Sequence, residues 1–192
     1  MTAGRATRAD ARVPSRQDMA RQLMGSLRSH GVDTVFGVPG GGSNLDVVGA
    51  AEASGCRFVL THTETAAAIM AGVTAELSGR LGACVATRGP GAASAVNGVA
   101  QAHLDRQPIV VVTDCVSSGE YGRVSHQRLD QEVLFAAATK ASVRWAAGGR
   151  HGRRRRGRGR RAAPGAAGSD RTVPRRHEHA GAHHLQGPGN GE

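Results

Sequence analysis

Aromatic side chains make up only 3% of this 192-residue chain, and none occurs beyond Trp145. The C-terminal quarter therefore has no Phe, Tyr or Trp ring on which nucleobases could stack. Cysteine is equally sparse. Cys56, Cys84 and Cys115 are far apart and form no CxxC pair, which excludes a disulfide framework and suits buried thiols in a reducing cytoplasm. No apolar run approaches the roughly 20 residues of a membrane span. The opening "MTAGRATRADARVPSR" has arginines but no apolar segment behind them, so it is not a secretory signal. Residues 1–15 read as a disordered leader. No glycine-rich loop is followed by Lys-Ser/Thr, which excludes a P-loop for ATP or GTP, and no repeat of solenoid period is present.

Positive charge is plentiful, at a formal +10, but unevenly placed. Residues 1–16 carry +3 and residues 151–192 carry +7, whereas 17–150 has eleven basic and eleven acidic residues. The patterned part of the chain is neutral, so its charge does not mark a nucleic-acid surface.

That part is long enough for one domain with its own core. "SRQDMARQLMGSLRSHG" has Ser15 as an N-cap, Asp18 in the first turn and Met19, Leu23 and Leu27 at helical spacing. Four short apolar runs without polar alternation follow: "TVFGV" at 34–38, "RFVL" at 57–60, "GACVAT" at 82–87 and "PIVVVT" at 108–113. Such runs suit strands buried on both faces of a parallel sheet. Between them, "NLDVVGAAEASG", "ETAAAIMAGVTAELSG" and "AASAVNGVAQAHLD" are glycine-bounded and rich in helix formers. Strand and helix in alternation predict an α/β fold with a doubly wound, mainly parallel sheet flanked by helices. Beyond Trp145 the chain turns to Arg, Gly and His with one Leu and one Val. Too little apolar surface is available there to offset ordering, so 146–192 reads as a disordered basic tail.

Open parallel sheets bind ligands outside the carboxyl ends of their strands. Three loops fall there: "GVPGGGSN", "THTET" and "TRGPGAAS". In the first, Ser43 or Asn44 is a candidate helix cap. The last departs from GxGxxG by Ser94 in place of the final glycine, a weak dinucleotide signal. Glu64 admits two readings. Thr61-His-Thr-Glu64 has capping-box spacing, with Thr61 as cap and Glu64 reaching back to it. A carboxylate at the mouth of a ligand crevice is equally a candidate for proton chemistry.

Taken in order, the loops resemble the N-terminal, pyrimidine-binding domain of thiamine diphosphate-dependent enzymes of the acetolactate synthase and 2-oxo-acid decarboxylase group. "VFGVPGGGSNLDVV" is similar to the opening strand and GxPG turn, and "FVLTHTETAAAIMAG" to the segment holding the catalytic glutamate. "GACVATRGPGAASAVNGVAQAHLDRQPIVVVT" is similar to the strand, GPG turn, helix and strand that follow, and "HQRLDQEVLFAAATKAS" to an F-Q-E-x-D stretch. The likeness covers residues 16–145. It implies that Glu64 hydrogen-bonds the aminopyrimidine ring and activates it, and that Gly40, Pro90, Ser94 and Gln127 lie at the cofactor or substrate. Thr63, Arg88, Ser94, His126 and Arg128 depart from the residues common in that group, so the particular substrate is not implied.

The resemblance further implies a 2-oxo acid substrate, decarboxylase or carboligase chemistry and a cytoplasmic homodimer, or a pairing with a separate diphosphate-binding subunit. In the group, diphosphate and Mg²⁺ are held by another domain with a GDG motif and a downstream Asn, and this sequence contains neither. The chain is thus expected to offer the pyrimidine half of a site and no metal ligands, and to be inactive alone. Arg- and Gly-rich sequence is also what a GC-rich gene yields out of frame, so a frameshifted terminus beyond about Gly149 is one expectation for the tail. The others are unspecific, salt-dependent nucleic-acid binding through "RRRRGRGRR" and weak metal uptake by "HEHAGAHH".

Overall fold

The computed structural model describes residues 13–117, 119–145, 152–155 and 183–186. It opens with α1 (Arg16–Ser29), started by a complete capping box. The Asp18 N–H donates to Ser15 Oγ over 3.1 Å, and the Ser15 N–H donates back to Asp18 Oδ2 over 3.0 Å. The Ser15 hydroxyl also donates to Asp18 Oδ2 over 2.7 Å, and this bond, the one from the Ser15 N–H and one from Arg21 hold the Asp18 carboxyl down at about 2. There follow β1 (Thr34–Gly37), α2 (Ser43–Ala53), β2 (Arg57–Leu60), α3 (Glu64–Ser78), β3 (Gly82–Ala86), α4 (Pro90–Leu104) and β4 (Ile109–Thr113). Beyond a loop come α5 (Gln131–Phe135), β5 (Ala141–Arg144), β6 (Gly152–Arg155) and β7 (His183–Gln186).

The strands form one sheet in the order β2-β1-β3-β4-β7-β5-β6. The first six positions are mutually parallel, and β6 closes the far edge antiparallel to β5. Alternation along the strands divides the core between two faces. Val35, Ala83, Val85, Val110 and Val112 pack beneath α1 and α2. Phe36, Cys84, Ala86, Ile109 and Val111 pack beneath α3 and α4. The α/β class expected from the alternating pattern is therefore the fold. Alanine on α3 and α4 lets the two helices approach closely: a Cβ at Gly98 would lie 2.6 Å from the Thr65 carbonyl oxygen and 2.7 Å from the Ala68 methyl. The three cysteines form no disulfide and are buried, and burial pushes the Cys84 thiol up to about 12.

Three local expectations need correction. β1, β3 and β4 are buried throughout, but β2 is an edge strand with partial burial, and Leu60 is 68% exposed. An apolar run does not reveal whether its strand has one neighbour or two. Neither Ser43 nor Asn44 caps α2, which starts from Gly42 without a side-chain cap, because both side chains are engaged elsewhere. Finally, two stretches of the region read as a disordered tail are strands. β7 sits between β4 and β5, with His184 fully buried. Counting apolar residues overlooks this, since the slot between two strands is filled by backbone hydrogen bonds and a polar side chain with partners. The rest of the tail, including most of the arginine run, and residues 1–12 of the leader lie outside the described residues.

Candidate functional site

The chain moves from β1 outward to β2, then returns across β1 to β3. This reversal puts a crevice at the carboxyl ends of β1 and β3, where helices leave the sheet in opposite directions. The loops 38–42, 61–63 and 87–89 meet there, and α2, α3 and α4 all point their N-termini toward it.

Glu64 is the first residue of α3. The capping box expected between Thr61 and Glu64 does not form. Thr63 caps the helix, its hydroxyl accepting from the Ala66 N–H over 3.1 Å, while Thr61 is buried and donates its hydroxyl to the Thr63 carbonyl over 2.9 Å. The helix begins two residues later than the motif suggests, so Glu64 is released from cap duty. Its carboxylate is half-buried, stands at the positive end of the helix and has no hydrogen-bond partner among the described residues.

The opposite wall is built from small groups. A Cβ at Gly91 would lie 2.5 Å from Thr87 Cγ2 and 3.0 Å from Glu64 Oε1, and one at Gly40 would lie 2.7 Å from Thr87 Cβ and Oγ1. Thr87 is thus the pivot between the GxPG turn, the GPG turn and Glu64. The Gly40 N–H is held by Asn44 Oδ1 at 3.0 Å, which sets the first turn. Gln127 also arrives here: its backbone presses on Gly89, where a Cβ would be 2.7 Å from the Gln127 carbonyl oxygen. Both residues have positive φ, +66° at Gly89 and +56° at Gln127, so the contact rests on two left-handed residues. Pro90 occupies the first turn of α4, where its missing N–H is no loss, and it is exposed. Ser94 lies one turn further on, and its carbonyl accepts the Thr65 hydroxyl at 2.5 Å, fastening α4 to α3. The five residues singled out from the sequence thus lie in or around the GPG turn, and Gly40 and Glu64 are linked through Thr87 and Gly91, which the sequence did not single out. His126 is exposed, and Arg128 is turned away to the Tyr121 carbonyl and ring.

A buried polar chain beside this crevice was not foreseen. Ser43 Oγ donates to Asp114 Oδ1, which also accepts from the Cys115 N–H at 3.0 Å. Burial pushes the Asp114 carboxyl up, opposed first by the Ser43 hydrogen bond and then by the charge of Arg88. Gln131 Nε2 donates to the Asp114 carbonyl at 2.7 Å, so its Oε1 accepts from Thr113 Oγ1 at 2.5 Å. Thr113 has then given its only proton, and His184 Nε2, 2.9 Å away, must donate to it. That leaves His184 Nδ1 to accept from Ser142 Oγ at 2.5 Å. Burial holds His184 neutral, at about 3, with its ring stacked on Phe135 at 4.1 Å between centroids. With both nitrogens engaged, His184 is not available to the metal uptake considered for "HEHAGAHH". The only signal in the sequence is a polar Thr-Asp directly after an apolar strand.

A switch point flanked by three helix N-termini, with a carboxylate that has no hydrogen-bond partner among the described residues, is where an open α/β sheet offers a candidate ligand site. Residues 17–134 match the family model described as thiamine pyrophosphate enzyme, N-terminal TPP binding domain, and the chain belongs to that family. It is 39% identical over 124 residues to the acetolactate synthase large subunit of Parasynechococcus marenigrum, an alignment covering 63% of this chain and 20% of that protein. The Escherichia coli acetolactate synthase isozyme 2 large subunit is 39% identical over 123 residues, covering 64% and 22% of the two chains. A probable 2-ketoarginine decarboxylase of Pseudomonas aeruginosa is 35% identical over 124 residues, covering 63% and 22%. The chain thus spans about a fifth of the length of the curated relatives it matches. Among the described residues no helix is long and apolar enough to cross a membrane.

Proposed function

We propose that this domain supplies the aminopyrimidine half of a thiamine diphosphate site in a cytoplasmic 2-oxo-acid decarboxylase or carboligase related to acetolactate synthase. The observation that carries this reading is Glu64: a half-buried carboxylate at a helix start, facing Gly91 and left without a hydrogen-bond partner among the described residues. The residues fit the group. A carboxylate can accept or share a proton with a ring nitrogen, and Gly40 and Gly91 keep side-chain bulk out of the space before it. Thiamine diphosphate, when bound, supplies an electron sink for breaking the bond beside a 2-oxo acid carbonyl.

In this reading Glu64 holds the proton at the ring nitrogen, and the Thr63 cap fixes the first turn of α3 so that the carboxylate keeps its place. Thr87 and the Gly40–Asn44 hydrogen bond set the width of the crevice. Gly89 and Gln127 hold the GPG turn on its other side. Diphosphate and Mg²⁺ contacts belong to another domain or subunit, so the chain alone binds the cofactor weakly and does not turn over substrate.

Calorimetric titration of the full chain with thiamine diphosphate and Mg²⁺ tests this. Weak binding should fall by about tenfold or more in Glu64→Gln, the loss expected for one charge-assisted hydrogen bond. Equal affinity in both proteins would remove Glu64 from the site, and no binding by the wild-type chain would remove the half-site itself.

A further inference from the structure

Asn44 stands in the first turn of α2, only 2% exposed, and half of its side-chain amide is unaccounted for. Its Oδ1 accepts the Gly40 N–H over 3.0 Å. That bond needs an oxygen, so the amide cannot be turned over without leaving Gly40 unpaired. The other end, Nδ2, is buried and has no hydrogen-bond partner among the described residues. A buried donor left in that state is costly, and native structures rarely keep one. Beside it lies a cavity of about 10 Å³, lined by Asn44 itself, Ser43, Thr113, Asp114 and three valines, Val112 among them. Such a volume is the least that admits a single water molecule.

What suits the cavity follows from its donors and acceptors. The Asn44 N–H groups repel a cation. Asp114 accepts from both Ser43 Oγ and the Cys115 N–H, as a carboxylate does, and so repels an anion. A neutral molecule that accepts on one side and donates on the other satisfies both, and at this volume that molecule is water. We propose that the cavity is a binding site for one internal water, which accepts from Asn44 Nδ2, donates to the Asp114 carboxylate and the Ser43 hydroxyl oxygen, and so ties the Gly40 turn to the end of β4. A bridge of this kind is nearly as good as a direct hydrogen bond. The assignment does not depend on what the crevice binds.

The test compares the full wild-type chain with Val112→Ile, which keeps a β-branched residue in β4 and adds one methyl at the cavity wall. Relaxation dispersion of solvent ¹⁷O counts long-lived internal waters without interference from hydroxyl protons. Its amplitude should fall in the variant by the equivalent of one water. The urea midpoint should fall as well, because Asn44 loses its acceptor. Hydrogen exchange at the Gly40 amide, which reads its bond to Asn44, should speed up by about tenfold, as expected for the loss of one hydrogen bond. A dry cavity gives the opposite result, with unchanged dispersion and a raised midpoint, since the methyl then fills empty space. Lower stability with the dispersion intact would be overpacking alone, and a lost water with Gly40 exchange unchanged would break the tie to the turn; each of these overturns the proposal. The wild-type chain provides a readout that does not require the variant to fold. Water-selective NOE and ROE cross-peaks of opposite sign at the Asn44 side-chain NH₂ are expected, and their absence would leave the site without its water.

Discussion

At the scale of single residues, the crevice is built so closely that one methyl group tests it. Gly91→Ala places that methyl 2.5 Å from Thr87 Cγ2 and 3.0 Å from Glu64 Oε1, so the Thr87 side chain, itself packed against Gly40, must shift. Overpacking of this kind costs about 1–3 kcal/mol. Urea unfolding should register the loss of stability, and the thiamine titration should show a further loss of affinity; unchanged values in both would mean that the wall is softer than the contacts indicate. The helix cap gives a second test. Thr63→Ala should destabilise the fold by about 1 kcal/mol, as loss of an N-cap does, whereas Thr61→Ala removes no cap bond. The reverse order in thermal or urea melts would restore the capping box read from the spacing. These residues also show where the sequence stops being legible. Glu64 stood out because a carboxylate followed an apolar strand, yet S/T-x-x-E spacing suggested the wrong partner. Only the backbone reveals that Thr63 takes the cap. The meeting of Gln127 with Gly89 depends on two positive φ angles 38 residues apart, which no local pattern encodes.

Among the elements, the first four strands and their helices were legible because each has its own signal: an apolar run, then a glycine-bounded, alanine-rich segment. β5 and β7 have no comparable signal, since what orders them is the neighbour they pair with. β7 makes a pH prediction. The fold lowers His184 from 6.5 to about 3, because a buried imidazole next to hydroxyl groups resists taking a proton. Unfolded, the ring protonates near 6.5, so its contribution to stability is full above that pH and is lost as pH falls toward 3. The slope within that window is about 1.4 kcal/mol per pH unit. Urea unfolding followed by the fluorescence of Trp145 should show this loss between about pH 6 and pH 4. In His184→Gln the loss should be smaller by that amount. An identical pH profile in the variant would mean that His184 does not dock in the folded protein.

Over the whole molecule, several large apolar side chains are left uncovered. Met70, Val73 and Leu77 line an outer face of α3, Leu104 ends α4, and Leu60 ends the edge strand, with Leu77 and Leu104 83% and 78% exposed. A chain that spans about a fifth of its relatives' length and shows such a surface is expected to self-associate or to bind hydrophobic dyes. Light scattering coupled to gel filtration checks this, and a monodisperse monomer that leaves the dye dark would contradict it. The sheet order has a further consequence, for the sequence of folding events. β4 and β5 do not touch through hydrogen bonds; each pairs instead with β7, which follows them by 70 and 39 residues. β2, β1, β3 and β4 can assemble from neighbouring segments, but β5 has no place in the parallel sheet until the distant strand closes its loop. Refolding should therefore proceed in two phases, a rapid one that forms the crevice and a slower one, set by loop closure, that admits β5.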